Sequence, residues 1–240
     1  MATTTGQTDP ASGAPPEIRA KLALALDTDD LVEALRMARE LKPWFGVVKV
    51  GLELFSAAGP PAVTRLMDEG FEVFLDLKMF DIPTTVEKAA RVVGSLGATY
   101  LTLHARDDAP MLRAGTDGFR EGAARAGLDE PIPLAVTVLT SDSGAPPHIL
   151  PRRVALAVET ACGGIVCAAS DLRDARQIAP RLIKVVPGIR PTGSPVNYQA
   201  RPATPRQAFD DGADLMVIGR AVTHAGDPAK AAAELVSELV

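Results

Sequence analysis

The sequence predicts one α/β domain, a (β/α)8 TIM barrel over residues 16–240. Eight strand-like segments alternate with eight helical segments, a pattern typical of a parallel sheet covered by helices. Positions predicted to point inward near the carboxyl ends of the strands are small or polar. The alternative, a doubly wound sheet, more often has strands that are apolar on both faces.

The predicted strands are short and mostly alternate between apolar and polar or small residues. In residues 21–27, three leucines alternate with two alanines and Asp27. Small side chains on one face suit the crowded inside of a barrel. The predicted strands are 21–27, 47–53, 71–78, 98–104, 132–139, 163–169, 182–186 and 214–219.

The predicted helices follow capping residues or prolines and several of them stop at glycine. Thr28 or Asp29 caps the first helix, whose apolar stripe includes Leu31 and Leu35. Gly97 and Gly127 end two of the later helices. The predicted helices are 30–41, 62–69, 82–96, 110–126, 148–160, 171–179, 205–211 and 228–240.

Composition excludes several classes of protein. The net charge is −5 without a basic block, which argues against a nucleic-acid partner, and no apolar run reaches the roughly 20 residues of a membrane span. Residues 1–15 are polar, lack the features of a secretion signal and are predicted to be a disordered tail. Cys162 and Cys167 are then expected to be free thiols in a cytoplasm. The three histidines show no metal-ligand spacing.

Charged side chains collect at the carboxyl end of the third predicted strand. Asp76 and Lys78 are two residues apart and so share a face of the strand, and Asp81 follows just beyond it. Asp27 and Lys49 end the two preceding strands. A structural ion pair explains any one of these charges, but five at one end of three consecutive strands favour an active site.

The last two strands carry a different pattern. Arg190 follows the seventh strand, and Gly219 and Arg220 follow the eighth. Barrel loops at this point often bind phosphate, through backbone N–H groups and arginine side chains. The irregular segment 191–203 between them is long enough to be functional. A phosphorylated small molecule is the ligand that this pattern predicts.

These residues together resemble the orotidine 5'-phosphate decarboxylase family. The run D-L-K-M-F-D-I-P at 76–83 matches the D-x-K-x-x-D-I-P motif of that family. The resemblance covers residues 20–240. Further matching runs are A-L-D at 25–27, V-K-V-G at 48–51, V-L-T at 138–140, P-G-I-R at 187–190 and V-I-G-R at 217–220.

The resemblance implies an activity and a mechanism. A family member removes CO2 from C6 of orotidine 5'-monophosphate to give UMP, the last step of de novo pyrimidine nucleotide synthesis, with no metal and no cofactor. Lys78 would donate the proton to C6, next to Asp76. A sister group of magnesium-dependent sugar-phosphate lyases shares the strand-three motif but carries Glu where Lys49 stands, so Lys49 favours the metal-free enzyme.

The resemblance also assigns the remaining site residues. Asp27 and Lys49 would orient Lys78 and bind the ribose hydroxyls. Asp81 and Thr85 would enter the site of a second subunit, which implies a homodimer. Thr140 and Ser141 would meet the pyrimidine edge. The phosphate would be bound by Arg190, Gly219, Arg220 and Gln199, or Arg201 beside it.

Overall fold

The structure is a computed structural model that describes residues 13–106, 109–142, 144–191 and 203–240. The described residues form eight parallel strands that close in chain order, with β8 paired to β1. The predicted (β/α)8 barrel is therefore confirmed. The strands are Leu22–Leu26 (β1), Val47–Gly51 (β2), Glu72–Met79 (β3), Tyr100–His104 (β4), Ile132–Val136 (β5), Gly164–Val166 (β6), Ile183–Ile189 (β7) and Leu215–Ile218 (β8).

The helices surround the barrel. Most of them begin at a proline or after a capping carboxylate or hydroxyl, as Asp30 does when its Oδ1 accepts from Val32 N–H at 2.7 Å. The helices within the described ranges are Pro16–Arg19 (α1), Leu31–Leu41 (α2), Leu52–Ala58 (α3), Pro60–Asp68 (α4), Pro83–Gly94 (α5), Ala109–Arg125 (α6), Ile149–Glu159 (α7), Leu172–Ile178 (α8), Pro205–Asp210 (α9), Arg220–Thr223 (α10) and Pro228–Ser237 (α11).

Two apolar layers hold the fold together. The inner layer fills the barrel with residues such as Ala23, Ala25 and Phe74, and the outer layer lies between the strands and the helices. Leu22 and Leu24 of β1 belong to the outer layer. The alternation predicted for the first strand is therefore confirmed, because its small residues face the crowded inside.

Several boundaries differ from the prediction. Residues 52–53, predicted to extend the second strand, begin α3 instead, because the chain turns at Gly51 and runs as a helix to the positive-φ residue Gly59. The short helix α10 was also not predicted. Strand β7 extends three residues beyond the predicted 182–186, through Pro187, with Gly188 at φ +80°.

The predicted tail, 1–15, lies outside the described residues for its first twelve positions. Its last three residues are described and lie against the barrel. Gly13 is buried, and the Ala14 N–H donates to the carbonyl oxygen of Pro43 at 3.0 Å. Ile18 of α1 is buried close by, so the amino-terminal end of the described barrel is anchored by packing and by a backbone hydrogen bond.

Helices α5 and α6 pack with their backbones in direct contact. A Cβ at Gly94 would overlap the carbonyl oxygen of Phe119, and a Cβ at Gly118 or Gly122 would overlap the carbonyl oxygens of Glu87 or Arg91. Only glycine permits this approach, and α5 begins a few residues after Asp81. The close packing therefore fixes the helix that follows the third strand.

Gly122→Ala is expected to lower the free energy of unfolding by about 1–3 kcal/mol, since the added methyl group overpacks the α5–α6 contact. Alanine otherwise favours a helix over glycine by about 1 kcal/mol, so a loss shows that the contact outweighs the helix propensity. Urea unfolding followed by circular dichroism measures the change. Gly226→Ala is the control, since a Cβ there meets no atom within 4 Å. Equal stability of both variants would contradict the prediction.

Candidate active site

Four charged side chains of alternating sign meet at the carboxyl ends of β1, β2 and β3, and we call them the charged array. Asp27 directly follows β1, and Lys49 lies in β2. Nζ of Lys49 lies 3.1 Å from Oδ1 of Asp27 and 3.9 Å from Oδ2 of Asp76. In β3, Nζ of Lys78 lies 2.7 Å from Oδ1 of Asp76. The structure thus brings together four of the residues that the sequence singled out.

The inner members of the charged array are largely removed from solvent. Lys49 and Asp76 keep only 12% and 16% of their side-chain surface exposed, whereas Lys78 keeps 34%. Charges at this depth are tolerated only when opposite charges compensate their lost hydration. Each member therefore depends on its neighbours, and truncating one leaves another charge uncompensated.

Gly51 leaves room for the ion pair between Lys49 and Asp27. A Cβ at this position would lie 3.1 Å from Nζ of Lys49 and 3.6 Å from Oδ1 of Asp27. The first of these distances is shorter than ordinary van der Waals contact. A larger side chain at residue 51 would therefore push the ammonium group away from its place between the two carboxylates.

Lys78 departs from the regular strand that the alternation predicts. Its φ is +48°, in the left-handed region that residues other than glycine rarely adopt, at a cost of about 1–2 kcal/mol. The pairing of β3 with β4 is regular at Leu75 and resumes out of step at Met79. The strand therefore bulges at Lys78, which changes the direction of its side chain.

Thr102 of β4 supports this bulge, and sequence reasoning did not single it out. Its side chain is completely buried. Thr102 Oγ1 accepts from the Lys78 N–H at 2.8 Å and donates to Oδ1 of Asp76 at 3.0 Å. The signal in the sequence was that Thr102, a polar residue, shares a strand face with Tyr100 and His104, in the strand next to that of Asp76.

His104 ends β4 beside the charged array. Its ring packs edge-on against Phe80, with 6.1 Å between the ring centroids. Burial, followed by the positive charges of Lys78, Arg153 and Arg106, lowers the pKa of His104. The uncharged imidazole is therefore favoured, and the ring packs against Phe80.

A cleft of about 150 Å³ connects the charged array with the last two strands. Asp27 and Lys49 line one part of it, and Arg190, Gly219 and Arg220 line another. Arg220 is the first residue of α10, and only Gly219 separates it from β8. The acid–base residues and the arginine residues, which the sequence predicted separately, thus line the same cleft. Carboxylate and ammonium groups lie on one side of it and guanidinium groups on the other.

The ends of the long segment after β7 are tied together. Ile189 pairs with Ala203, and the Arg190 N–H donates to the carbonyl oxygen of Ala203 at 3.0 Å. This pairing holds the backbone of Arg190 at the edge of the cleft. Gln199 and Arg201 lie outside the described residues.

Four further predicted site residues stand apart from the charged array. Asp81 and Thr85 are exposed, and Oδ1 of Asp81 accepts from the N–H of Ile82 at 2.7 Å. Thr140 is half-buried and Ser141 is exposed, in the turn beyond β5. Among the described residues, none of the four forms a hydrogen bond or an ion pair with the array.

The described ranges lack two features, a cluster of metal ligands and a membrane-spanning helix. No group of three or more His, Cys, Asp or Glu side chains there is arranged to hold a metal ion. Within the same ranges, no helix combines the length and the apolar character needed to cross a bilayer. Cys162 and Cys167 are buried, and neither forms a disulfide.

Comparison with known proteins gives consistent results. Proteins named orotidine 5'-phosphate decarboxylase from Moorella thermoacetica and Anaeromyxobacter dehalogenans are 39% and 43% identical to the chain. The alignments cover 91% of this chain in both cases, and 92% and 98% of the relatives. Each relative is therefore matched over nearly its whole length.

A solved structure agrees with the sequence relatives. The crystal structure of orotidine 5'-phosphate decarboxylase from Lactobacillus acidophilus superimposes with a TM-score of 0.77 at 32% identity, over 91% of this chain and 98% of that one. Residues 20–235 match the sequence model of the orotidine 5'-phosphate decarboxylase / HUMPS family. The predicted carboxy-lyase is thereby confirmed, and the chain belongs to the orotidine 5'-phosphate decarboxylase / HUMPS family.

Proposed function

We propose that the protein decarboxylates orotidine 5'-monophosphate to UMP without a metal ion, and that Lys78 protonates C6. The observation that carries the proposal is the Lys78–Asp76 pair, 2.7 Å apart, within an array that shares a cleft with two arginines. The cleft offers two arginines to a phosphate at one end, and its other end is lined by Lys49, which lies beside Asp76 and, through it, Lys78.

The chemistry requires an ammonium group at C6. When the bond from C6 to the carboxylate breaks, its electron pair stays on C6 as a carbanion with little resonance stabilisation, and CO2 leaves. A fixed positive charge lowers the energy of that carbanion, because it is in place before the reaction begins. The Lys78 ammonium supplies this charge and then transfers its proton to C6, which yields UMP.

Asp76 favours loss of the substrate carboxylate. Its own carboxylate is held by Lys78, by Lys49 and by the Thr102 hydroxyl, so it has little freedom to move away from a bound substrate. Two nearby carboxylates repel each other, and the repulsion ends when CO2 leaves. Binding energy from the remote phosphate offsets the cost of bringing them together.

Lys49 occupies the position that distinguishes this proposal from a magnesium-dependent sugar-phosphate lyase. Its ammonium lies between Asp27 and Asp76, so the two carboxylates are already balanced by a cation of the chain. Asp27 is about half exposed and lines the cleft, where its free carboxylate oxygen is available to a ribose hydroxyl. Together they hold the sugar and fix Asp76.

The phosphate end of the cleft would hold the substrate through two arginines and a glycine. Arg190 and Arg220 would pair with the phosphate oxygens, and Gly219 allows close approach of the backbone. Gln199, or Arg201 beside it, would complete the phosphate site. Thr140 and Ser141 would bind the pyrimidine edge from the turn beyond β5.

A homodimer accounts for the exposed residues after β3. Phe80 and Ile82 expose 46% and 67% of their surface on either side of Asp81. Asp81 forms no ion pair within the described residues, and it has an exposed apolar side chain on each side. This combination suits an interface that delivers Asp81 and Thr85 to the partner's site. Two buried cysteines that are not joined in a disulfide suit the reducing environment of a cytoplasm.

Lys78→Ala is expected to lower kcat by about 10⁴-fold or more, since it removes both the charge and the proton. UMP affinity is expected to persist, because the phosphate and ribose contacts remain. Loss of orotidylate absorbance measures turnover, and Lys230→Ala, at an exposed lysine on α11, is the control. Lys78→Gly removes the ammonium without the left-handed backbone penalty, so its inactivity together with retained UMP affinity would exclude misfolding as the cause. Wild-type turnover in either Lys78 variant would rule out Lys78 as the proton donor.

EDTA is expected to leave activity unchanged, because Lys49 supplies the positive charge between the two carboxylates. The assay uses enzyme dialysed against EDTA and then returned to buffer with or without magnesium. Loss of orotidylate turnover that magnesium restores would refute the metal-free mechanism and would favour the lyase alternative.

Mixing Asp81→Ala and Lys78→Ala subunits is expected to restore activity. If Asp81 serves the partner's site, each mixed dimer has one intact site of two, and random pairing gives about a quarter of wild-type activity. Each variant alone is the control and is expected to be inactive. No recovery, with mixed dimers verified by mass spectrometry, would place Asp81 in the site of its own chain.

A further inference from the structure

The buried hydroxyl of Thr102 joins the two reacting groups of the site. We propose that Thr102 is a positioning residue, which holds the Lys78 backbone and the Asp76 carboxylate in the arrangement that protonation of C6 requires. The proposal rests on the proposed role of Lys78. The Thr102 side chain is fully buried beneath its two partners, so it acts through them and does not touch the substrate.

One hydroxyl satisfies both partners at once. A threonine hydroxyl has one proton to donate and two lone pairs that accept. Here the proton goes to Oδ1 of Asp76 at 3.0 Å, and a lone pair takes the Lys78 N–H at 2.8 Å. Both distances lie within the normal range for hydrogen bonds, and the Thr102 side chain is fully buried, where an unpaired polar group is costly.

The hydroxyl replaces a missing backbone partner. Between Leu75 and Met79 the regular pairing of β3 with β4 is interrupted, and Lys78 takes a positive φ. The Lys78 N–H therefore bonds to a side chain of β4 instead of a backbone carbonyl. Without Thr102 that N–H would be left unpaired, and the strained conformation would lose the contact that supports it.

The hydroxyl also selects the oxygen that Asp76 presents. Thr102 and Nζ of Lys78 both bond to Oδ1, while Oδ2 is the atom nearest to Lys49. Rotation of the carboxylate out of this plane would weaken all three contacts together. Thr102 thus helps to fix the plane of the Asp76 carboxylate between the two lysines.

Thr102→Val tests the proposal, since it removes the hydroxyl and keeps the shape of the side chain. We expect kcat to fall about 10–100-fold, as for a misplaced reacting group, while KM and UMP affinity stay within about threefold. Thr102→Ser, which restores the hydroxyl, is expected to recover most of kcat. In Thr102→Val, the amide hydrogen of Lys78 is expected to exchange with solvent faster than in the wild-type protein.

Thr116→Val is the matched control. Thr116 is also fully buried, but its hydroxyl contacts Cys162 on the outer side of the barrel, away from the charged array. We expect its kcat to equal that of the wild type. If Thr102→Val does not fold, Thr102→Ala serves as a second variant without the hydroxyl.

Three results would overturn the proposal: wild-type kcat in the hydroxyl-free variant, an equal loss in Thr116→Val, or a loss that Thr102→Ser does not recover. These outcomes differ from failure of the proposed function, which shows as turnover in Lys78→Ala. In that case the Lys78 amide exchange still decides whether Thr102 holds the backbone.

Discussion

The ion pair between Lys78 and Asp76 depends on a backbone conformation that a regular strand does not provide. Lys78 takes φ +48°, and the Thr102 hydroxyl bonds to both its N–H and the Asp76 carboxylate. Lys49 and Asp27 then extend the pair into an array of alternating charge. No member is independent, because the inner charges are nearly buried and each needs an opposite neighbour. Local strain at one residue is thus balanced by contacts from three other strands.

The barrel supplies two kinds of support for this array. The parallel strands end at the same rim, so side chains far apart in sequence meet there without long loops. On the outside, the glycine contacts between α5 and α6 fix the helix that follows Lys78 and Asp81. Just before this helix, Phe80 and Ile82 are exposed on either side of Asp81, which we propose serves the partner's site.

The two ends of the cleft divide the work of binding and catalysis. Arg190 is held at the rim by the pairing of Ile189 with Ala203, and Arg220 begins the helix after β8. Their guanidinium groups suit a phosphate, which does not change during the reaction. In the mechanism that we propose, the energy of that contact offsets the repulsion between Asp76 and the substrate carboxylate, which is relieved as CO2 leaves.

The sequence alone determined the barrel, its charged rim and the family, because strand alternation, acid–base spacing and the motif at 76–83 are local patterns. It also separated the Asp–Lys array from the arginines of the last strands. Only the tertiary structure decided the bulge at Lys78, the role of Thr102 and the space at Gly51. These depend on the register between neighbouring strands and on contacts between residues more than twenty positions apart, which no periodicity within one strand records.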